Sequence, residues 1–129
     1  KNNVAIYTGV ICEDNVFLGP NCVFTNVGNP RSFIERKSEF KKTVIHEGAT
    51  IGANATIVCG NDIGAYAFVG AGSVVTKTIP DYTMAIGNPA RFYAHVCKCG
   101  CKLDKNLYCK ECKSWYRADD EGNIYPIEV

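Results

Sequence analysis

The sequence predicts an all-β protein whose larger part is a parallel β-helix, because aliphatic residues return at every sixth position. Six β-branched aliphatic residues keep this spacing without a break: Ile45, Ile51, Ile57, Ile63, Val69 and Val75. Glycine directly follows three of them, at Gly52, Gly64 and Gly70. A period of six is not helical but is a multiple of the strand period of two. Each hexad is therefore predicted to be a short strand with a corner, and three hexads make one triangular coil.

Each hexad has an inward aliphatic residue and a corner. β-Branched residues suit positions buried on stacked parallel sheets, and glycine relieves the backbone at a tight corner. Most of these hexads also carry a small residue four positions on, which should fit the turn: Ala49, Ala55, Ala67 and Ser73. An earlier block repeats the phase with Ile6, Cys12, Leu18 and Phe24. The alternative is an ordinary sheet domain with a chance period, which ten phased positions argue against.

An inserted loop is predicted over residues 25–44, because the two blocks are out of phase. Continuing the first phase would place Pro30, Arg36 and Lys42 inside the coil, and such residues are seldom buried there. The loop holds five cationic and two anionic side chains, a net charge of +3. A long loop in a compact domain is usually functional, and a basic one could hold phosphates. The alternative is a solvated charged loop.

The coil is predicted to end near Val75, where the phase is lost and Pro80 and Pro89 follow. At the other end the pattern starts inside a running hexad at Ile6. Terminal repeats need caps, so we expect further coils upstream or an edge covered by another chain. The predicted domains are a β-helix over 1–92 and a cysteine-rich tail over 93–129.

The composition excludes several classes of protein. A net charge of +1 over 129 residues gives no general attraction to nucleic acid, and no apolar run is long enough to span a membrane. Five of the eight cysteines fall between residues 97 and 112. A secreted disulfide scaffold would spread them more evenly. The clustering favours a metal site in a reducing compartment.

Two short cysteine motifs in the tail predict structural zinc, because four thiolates at such spacing suit a closed tetrahedral site. The proposed ligands are Cys97, Cys99, Cys109 and Cys112. The pair Cys99/Cys101 stays open for the first motif, and His95 is a weaker alternative ligand. Disulfides or free thiols are the competing interpretation of the whole cluster.

Several segments resemble a known family. The motif aliphatic-Gly-x-x-small-x is typical of left-handed β-helix acyltransferases. Further matching segments lie at 19–27, 48–60, 66–72 and 87–91, with Asn29-Pro30-Arg31 in the loop. Together they resemble the nucleotide-sugar N-acetyltransferases of bacterial surface-polysaccharide synthesis. These enzymes acetylate the 3-amino group of a UDP-linked 2-acetamido-3-amino sugar, often a uronic acid. The left-handed winding follows from this resemblance alone, because parallel crossovers are normally right-handed.

The resemblance implies a cytoplasmic, trimeric, acetyl-CoA-dependent enzyme of lipopolysaccharide or O-antigen synthesis. It implies that Asn26 positions the acceptor near the thioester and that Asn29 and Arg31 bind substrate, Arg31 through a carboxylate or phosphate. The residues expected to bind CoA are Gly70, Ala71, Gly72, Lys77, Ile79, Pro80 and Arg91. In the same comparison Cys97 and Cys99 form half of a short zinc ribbon and Cys101 is spare. Alternatively, Asn26 is a turn former and the glycines are only corners.

The acceptor is predicted to be an amine, because a general base is hard to find. Only His46 and His95 are present, and His46 should point outward beside the loop. A sugar amine is partly neutral near pH 8 and can attack a thioester unaided, whereas a hydroxyl needs a base. The second hypothesis is a sugar O-acetyltransferase with His46 as base, and the third is a non-catalytic β-helix scaffold.

Overall fold

The computed structural model of the chain describes residues 1–127. It consists of short strands and one 3-10 helix, Lys37–Glu39. The strands are β1 (Val10–Cys12), β2 (Phe17–Leu18), β3 (Val23–Phe24), β4 (Thr43–Ile45), β5 (Thr50–Ile51), β6 (Thr56–Ile57), β7 (Phe68–Val69), β8 (Val74–Val75), β9 (Thr83–Gly87), β10 (Ala90–His95), β11 (Tyr108–Cys109), β12 (Ser114–Ala118) and β13 (Ile124–Pro126). Among these residues no helix is long and apolar enough to cross a membrane.

The strands β1 to β9 wind as a parallel β-helix, as the period of six predicts. Successive coils stack in three parallel sheets, in the orders β1-β4, β2-β5-β7-β9 and β3-β6-β8. Single bridges from Ile45 to Ile63 and from Ile63 to Ile79 continue the first sheet. Neighbouring coils between residues 45 and 75 are offset by 18 residues, which is three hexads.

The core of the coil confirms the inward positions. The six aliphatic residues that start at Ile45 are all 0% exposed. The small residues four positions on are buried too, so they are small because they face the narrow interior as well as a corner. Glycine is required where coils approach: a Cβ at Gly52 would lie 2.5 Å from the Ala71 nitrogen of the next coil.

The first block departs from the prediction at Ile6, which is 54% exposed. Residues 4–9 form no strand. A turn in which the Val10 N–H donates to the Tyr7 carbonyl shifts the phase, and Val4 packs on the core instead. The loop also ends earlier than predicted, since β3 ends at Phe24 and β4 begins at Thr43.

The prediction that the coil ends near Val75 is wrong. Ile79 bridges Ile63, and β9 pairs with β7 with Ala85 opposite Val69. Both offsets are 16 residues instead of 18, because one turn of this coil is two residues shorter. The aliphatic residues of this coil therefore do not continue the period of six. Strand β10 then pairs antiparallel with β9 and runs to His95, past the predicted boundary at 92.

The tail forms a three-stranded antiparallel sheet in the order β11-β12-β13. Its small core contains Cys97, Cys109, Tyr116 and Ile124, together with Tyr82 from the β-helix end. The Tyr82 ring stacks on Tyr66 at 5.6 Å between centroids and meets Tyr116 edge-on at 5.3 Å. These contacts attach the tail to the last coils. The last two residues of the predicted tail lie outside the described residues.

Candidate functional site

A cleft at the end of the β-helix brings together four of the residues predicted to bind CoA. Lys77, Ile79, Pro80 and Arg91 line a cavity of about 350 Å³. Lys77 to Pro80 come from the shortened turn and Arg91 from β10, so the extra coil and the antiparallel strand together build this site. A volume of this size falls in the range of small-molecule sites.

The charges in the cleft are mixed. The ammonium of Lys77 and the guanidinium of Arg91 can attract phosphates, while Asp81 and Glu121 also line the cavity. The Asp81 Oδ1 accepts a hydrogen bond from the Ala65 N–H at 2.7 Å, which ties that carboxylate to the coil. The two cations therefore share the cleft with two carboxylates. Asp81 accepts a backbone hydrogen bond, and Glu121 is exposed.

Gly70, Ala71 and Gly72 do not line this cleft. A Cβ at Gly70 would lie 2.9 Å from Cγ1 of Ile86, so packing against β9 explains that glycine. Gly72 has a φ of +72° with open space around it, a conformation that favours glycine. A role for these three residues toward CoA stays a prediction.

The loop forms a second, separate cleft of about 250 Å³. It contains Arg31, Arg36 and Lys37, and the Nε atom of Arg36 is buried without a hydrogen-bond partner in the described chain. Asn29 is exposed and does not line it. Arg36 is not among the predicted site residues, because nothing in the sequence separates it from the other loop cations.

Asn26 lies where the loop leaves and rejoins the coil. Its Nδ2 donates a long hydrogen bond to the Thr8 carbonyl at 3.4 Å, and its own carbonyl accepts from the Lys41 N–H at 2.9 Å. The second bond closes the loop at its base. The amide is half-exposed, so it can exchange its weak contact for a ligand.

His46 forms a pair with Glu13, a residue that was not predicted to belong to the site. The His46 Nδ1 lies 3.1 Å from Glu13 Oε1, which also accepts from the Glu47 N–H at 3.0 Å. The sequence could have indicated this pair. Cys12 and Ile45 lie opposite each other in the pairing of β1 with β4, and Glu13 and His46 directly follow them. Such a carboxylate fixes the tautomer and the orientation of an imidazole.

The tail brings the four predicted thiols together. The Sγ atoms of Cys97, Cys99, Cys109 and Cys112 all lie within 4.8 Å of one another. Zn–S bonds of about 2.3 Å place tetrahedral sulfurs about 3.8 Å apart, so the cluster fits zinc. Neither Cys101 nor His95 belongs to it.

The surroundings of the thiols differ. A hydrogen bond with Ser114 and a weaker effect of Cys97 lower the pKa of the Cys112 thiol to about 7. Burial raises the pKa of the Cys97 thiol. A cation would be needed to hold both as thiolates near neutral pH. The donor set is all-sulfur and closed, so the chemistry it offers a zinc ion is structural.

The fold is that of the hexapeptide-repeat acetyltransferases, which the chain resembles in sequence and structure. It is 53% identical over 83 residues to a dTDP-3-amino-3,6-dideoxy-α-D-galactopyranose 3-N-acetyltransferase from Aneurinibacillus thermoaerophilus, covering 62% of this chain and 43% of the relative. It is 35% identical over 85 residues to the galactoside O-acetyltransferase of Lactococcus lactis, covering 64% and 41%. The chain thus spans less than half the length of either relative. No family model matches it.

Solved structures agree in fold. A galactoside acetyltransferase in complex with coenzyme A superimposes with a TM-score of 0.63 at 28% identity, covering 98% of this chain and 56% of that one. A histidine-to-asparagine mutant of perosamine N-acetyltransferase from Caulobacter crescentus, in complex with CoA and GDP-perosamine, gives 0.59 at 26% identity, covering 73% and 38%. The left-handed winding expected from the resemblance is the winding of these neighbours.

Proposed function

We propose that the chain is part of an acetyl-CoA-dependent N-acetyltransferase that acts on the amino group of a nucleotide-linked amino sugar, a precursor of surface glycan or O-antigen. One observation supports the use of acetyl-CoA: two separated segments of the chain bring four residues to one cleft, namely Lys77, Ile79, Pro80 and Arg91. The apolar pair would face the adenine and the cations would meet the phosphates. The amino sugar is supported by the relative with 53% identity.

The proposed reaction needs no protein base. The neutral amine attacks the thioester carbonyl carbon, the C–N bond forms and the C–S bond breaks. The proton lost by the nitrogen passes to the departing thiolate of CoA. Asn26 would orient the acceptor through its amide, and Asn29 and Arg31 would hold the sugar nucleotide from the loop. Positioning alone can supply a large part of such a rate enhancement.

The test is release of CoA thiol from acetyl-CoA by the full chain. UDP- and dTDP-linked amino sugars are compared with their hydroxyl counterparts. Turnover with amino sugars alone supports the proposal, and turnover with hydroxyl sugars alone contradicts it. Failure to bind CoA at millimolar concentration would contradict every enzymatic interpretation and favour a scaffold.

A sugar O-acetyltransferase is the second candidate, and the Glu13–His46 hydrogen bond of 3.1 Å favours it. A hydroxyl acceptor needs a base, and an oriented histidine is the usual one. On this proposal His46→Ala lowers kcat by about 10²- to 10⁴-fold. Little change in kcat would leave the amine mechanism as the better account.

The tail is proposed to hold structural zinc in its four-thiolate cluster. Native mass spectrometry should show one zinc per chain, and Cys112→Ser should lose it. Cys101→Ser is the matched control, because this neighbouring thiol lies outside the cluster. Equal zinc content in both variants would contradict the assignment.

A homotrimer and a cytoplasmic location complete the proposal. Ile11, Phe17 and Val23 are 45–47% exposed but lie on three different sheets and form no single apolar patch, so the trimer is supported by the family resemblance alone. Sedimentation equilibrium tests the trimer. The thiol cluster fits the reducing compartment in which acetyl-CoA is available.

A further inference from the structure

The four thiols proposed to hold zinc form two close pairs. The Sγ atoms of Cys97 and Cys112 lie 3.0 Å apart. Those of Cys99 and Cys109 lie 3.5 Å apart. Each pair joins a thiol of the first cysteine motif to a thiol of the second. The cluster therefore places sulfur against sulfur between the motifs, as well as bringing all four sulfurs within reach of one ion.

Each pair combines an accessible thiol with a protected one. Cys112 is exposed and its partner Cys97 is buried. Cys99 is exposed and its partner Cys109 is buried. An oxidant that arrives from solvent meets the exposed sulfur first, and the buried sulfur lies beside it to complete a disulfide. Redox-sensing cysteines show this combination of an accessible sulfur and a neighbouring resolving sulfur.

The thiols of the coil offer a contrast. Cys22 is buried in the core of the β-helix, and Cys12 packs against the same core. Burial raises the pKa of both thiols, so both stay protonated, and the thiolate is the reactive form. Bound zinc, in comparison, would keep the sulfurs of the cluster as thiolates. Peroxide should therefore oxidise the cluster before it oxidises the coil.

We propose that the cluster is a peroxide-responsive zinc switch: hydrogen peroxide joins the thiols of each close pair in a disulfide, and the ion is released. The disulfides are Cys97–Cys112 and Cys99–Cys109. This inference rests on the proposed zinc site. It assigns the tail a regulatory role in addition to the structural one.

The chemistry of the first pair balances with one peroxide. The Cys112 sulfur attacks a peroxide oxygen, the O–O bond breaks, and the other oxygen takes up a proton and leaves as water. The Cys97 sulfur then attacks the Cys112 sulfur, the S–S bond forms, and the S–O bond breaks to give a second water after protonation. Two electrons pass from the two sulfurs to the peroxide. A second peroxide oxidises the other pair in the same way, and zinc loses all four thiolate ligands.

The first test follows zinc. The reduced, zinc-loaded full chain is titrated with hydrogen peroxide in the presence of a chromophoric chelator, and a sample without peroxide is the control. Release should be complete after about two equivalents of peroxide per chain. Dithiothreitol followed by zinc should restore the original zinc content. Retention of zinc at a large excess of peroxide would overturn the inference.

The second test identifies the paired cysteines by mass spectrometry of a tryptic digest. Cleavage after Lys98 and Lys110 places the four ligands on four different peptides. Two linked pairs of peptides are expected, one for each close pair of thiols. A bond within one motif, such as Cys109–Cys112, would overturn the proposed pairing, and so would sulfinic acids in place of disulfides.

Cys101→Ser is the matched control for both tests, because Cys101 shares a tryptic peptide with Cys99 but lies outside the cluster. The variant should release zinc as the wild type does and give the same two linked pairs. Loss of the response would mean that Cys101 takes part, which would overturn the scheme of two pairs. The peptides that contain Cys12 and Cys22 should stay reduced.

Trp115, the only tryptophan of the chain, reports on the fold of the tail. The disulfides link the same two motifs that zinc links, so its emission maximum should stay near the value of the zinc-loaded chain. A shift to the value of the urea-unfolded chain would contradict a switch between two folded forms. A reduced chain that binds no zinc would overturn the proposed zinc site and the switch together. Zinc that binds but withstands peroxide would overturn the switch alone.

Discussion

The Tyr116 hydroxyl donates a hydrogen bond to the Cys97 sulfur across 3.3 Å. Both residues are almost fully buried, at 4% and 1% exposed. The same hydroxyl oxygen accepts from the Lys98 N–H at 2.9 Å, and the ring packs on Tyr82. The Tyr116 side chain thus links the thiol cluster, the backbone between Cys97 and Cys99, and the end of the β-helix.

Replacing Tyr116 by Phe should weaken zinc binding by about 10- to 100-fold, the usual effect of losing a partner that orients a ligand. The substitution also leaves the Lys98 N–H without its acceptor. Competition with a chromophoric chelator measures the affinity. Tyr108→Phe is the control, since Tyr108 lies in the same sheet and no hydrogen bond of its hydroxyl is seen in the described chain. Equal affinities in the two variants would exclude a role for the hydroxyl.

The period of six predicted the stacked coils because their inward positions are local and repetitive. Ile45 to Val75 could be assigned without knowing any partner strand. The last coil was missed because the offset from Ile63 to Ile79 is two residues short. A fixed period cannot identify a coil in which one turn is shorter, although the strands of that coil still pair with those of the coil before it.

The candidate site was predictable only in part. The family resemblance predicts Lys77 and Arg91 as site residues. No local sequence pattern indicates that residues 121–124 line the same cleft as His95. That meeting depends on how the tail packs against Tyr82, a contact between distant segments. Glu13 could have been found, because stacking places it beside His46 once the register of β1 and β4 is known.

Replacing Gly52 by Ala should lower the free energy of unfolding by about 1–3 kcal/mol, the usual cost of overpacking. The new Cβ would lie 2.5 Å from the Ala71 nitrogen, and backbone stacked in the next coil cannot move aside cheaply. Urea denaturation measures the change. Gly28→Ala is the control, since its Cβ would meet only the flexible Lys41 side chain at 3.4 Å. Similar losses in both variants would contradict the stacking argument.

Replacing Arg91 by Ala should weaken CoA binding and reduce its dependence on salt. A guanidinium paired with phosphate contributes more at low ionic strength, where screening is weak. Titrations at two salt concentrations measure this, with Lys105→Ala as an exposed cation outside the cleft. If both variants change affinity and salt dependence equally, Arg91 acts only through net charge.

The buried tyrosines predict a loss of stability at alkaline pH. Burial and the neighbouring Tyr66 raise the pKa of Tyr82 to about 12, whereas an unfolded tyrosine ionises near 10. Below pH 10 both states keep the proton. From about pH 10 to 12 only the unfolded state loses it, so the stabilisation present at lower pH falls as pH rises. One such group contributes a slope of up to about 1.4 kcal/mol per pH unit.

Tyr116 adds to this slope, because burial and the Cys97 contact raise its pKa as well. Tyr82→Phe should therefore remove about half of the alkaline slope contributed by the two phenols. Urea unfolding between pH 9 and 12 measures it, and differences between variants cancel the titration of other groups. Tyr93→Phe is the control, because Tyr93 is 55% exposed and its hydroxyl can meet water in both states. An unchanged slope in Tyr82→Phe would mean that the phenol reaches water in the folded protein and that the junction between tail and coil opens.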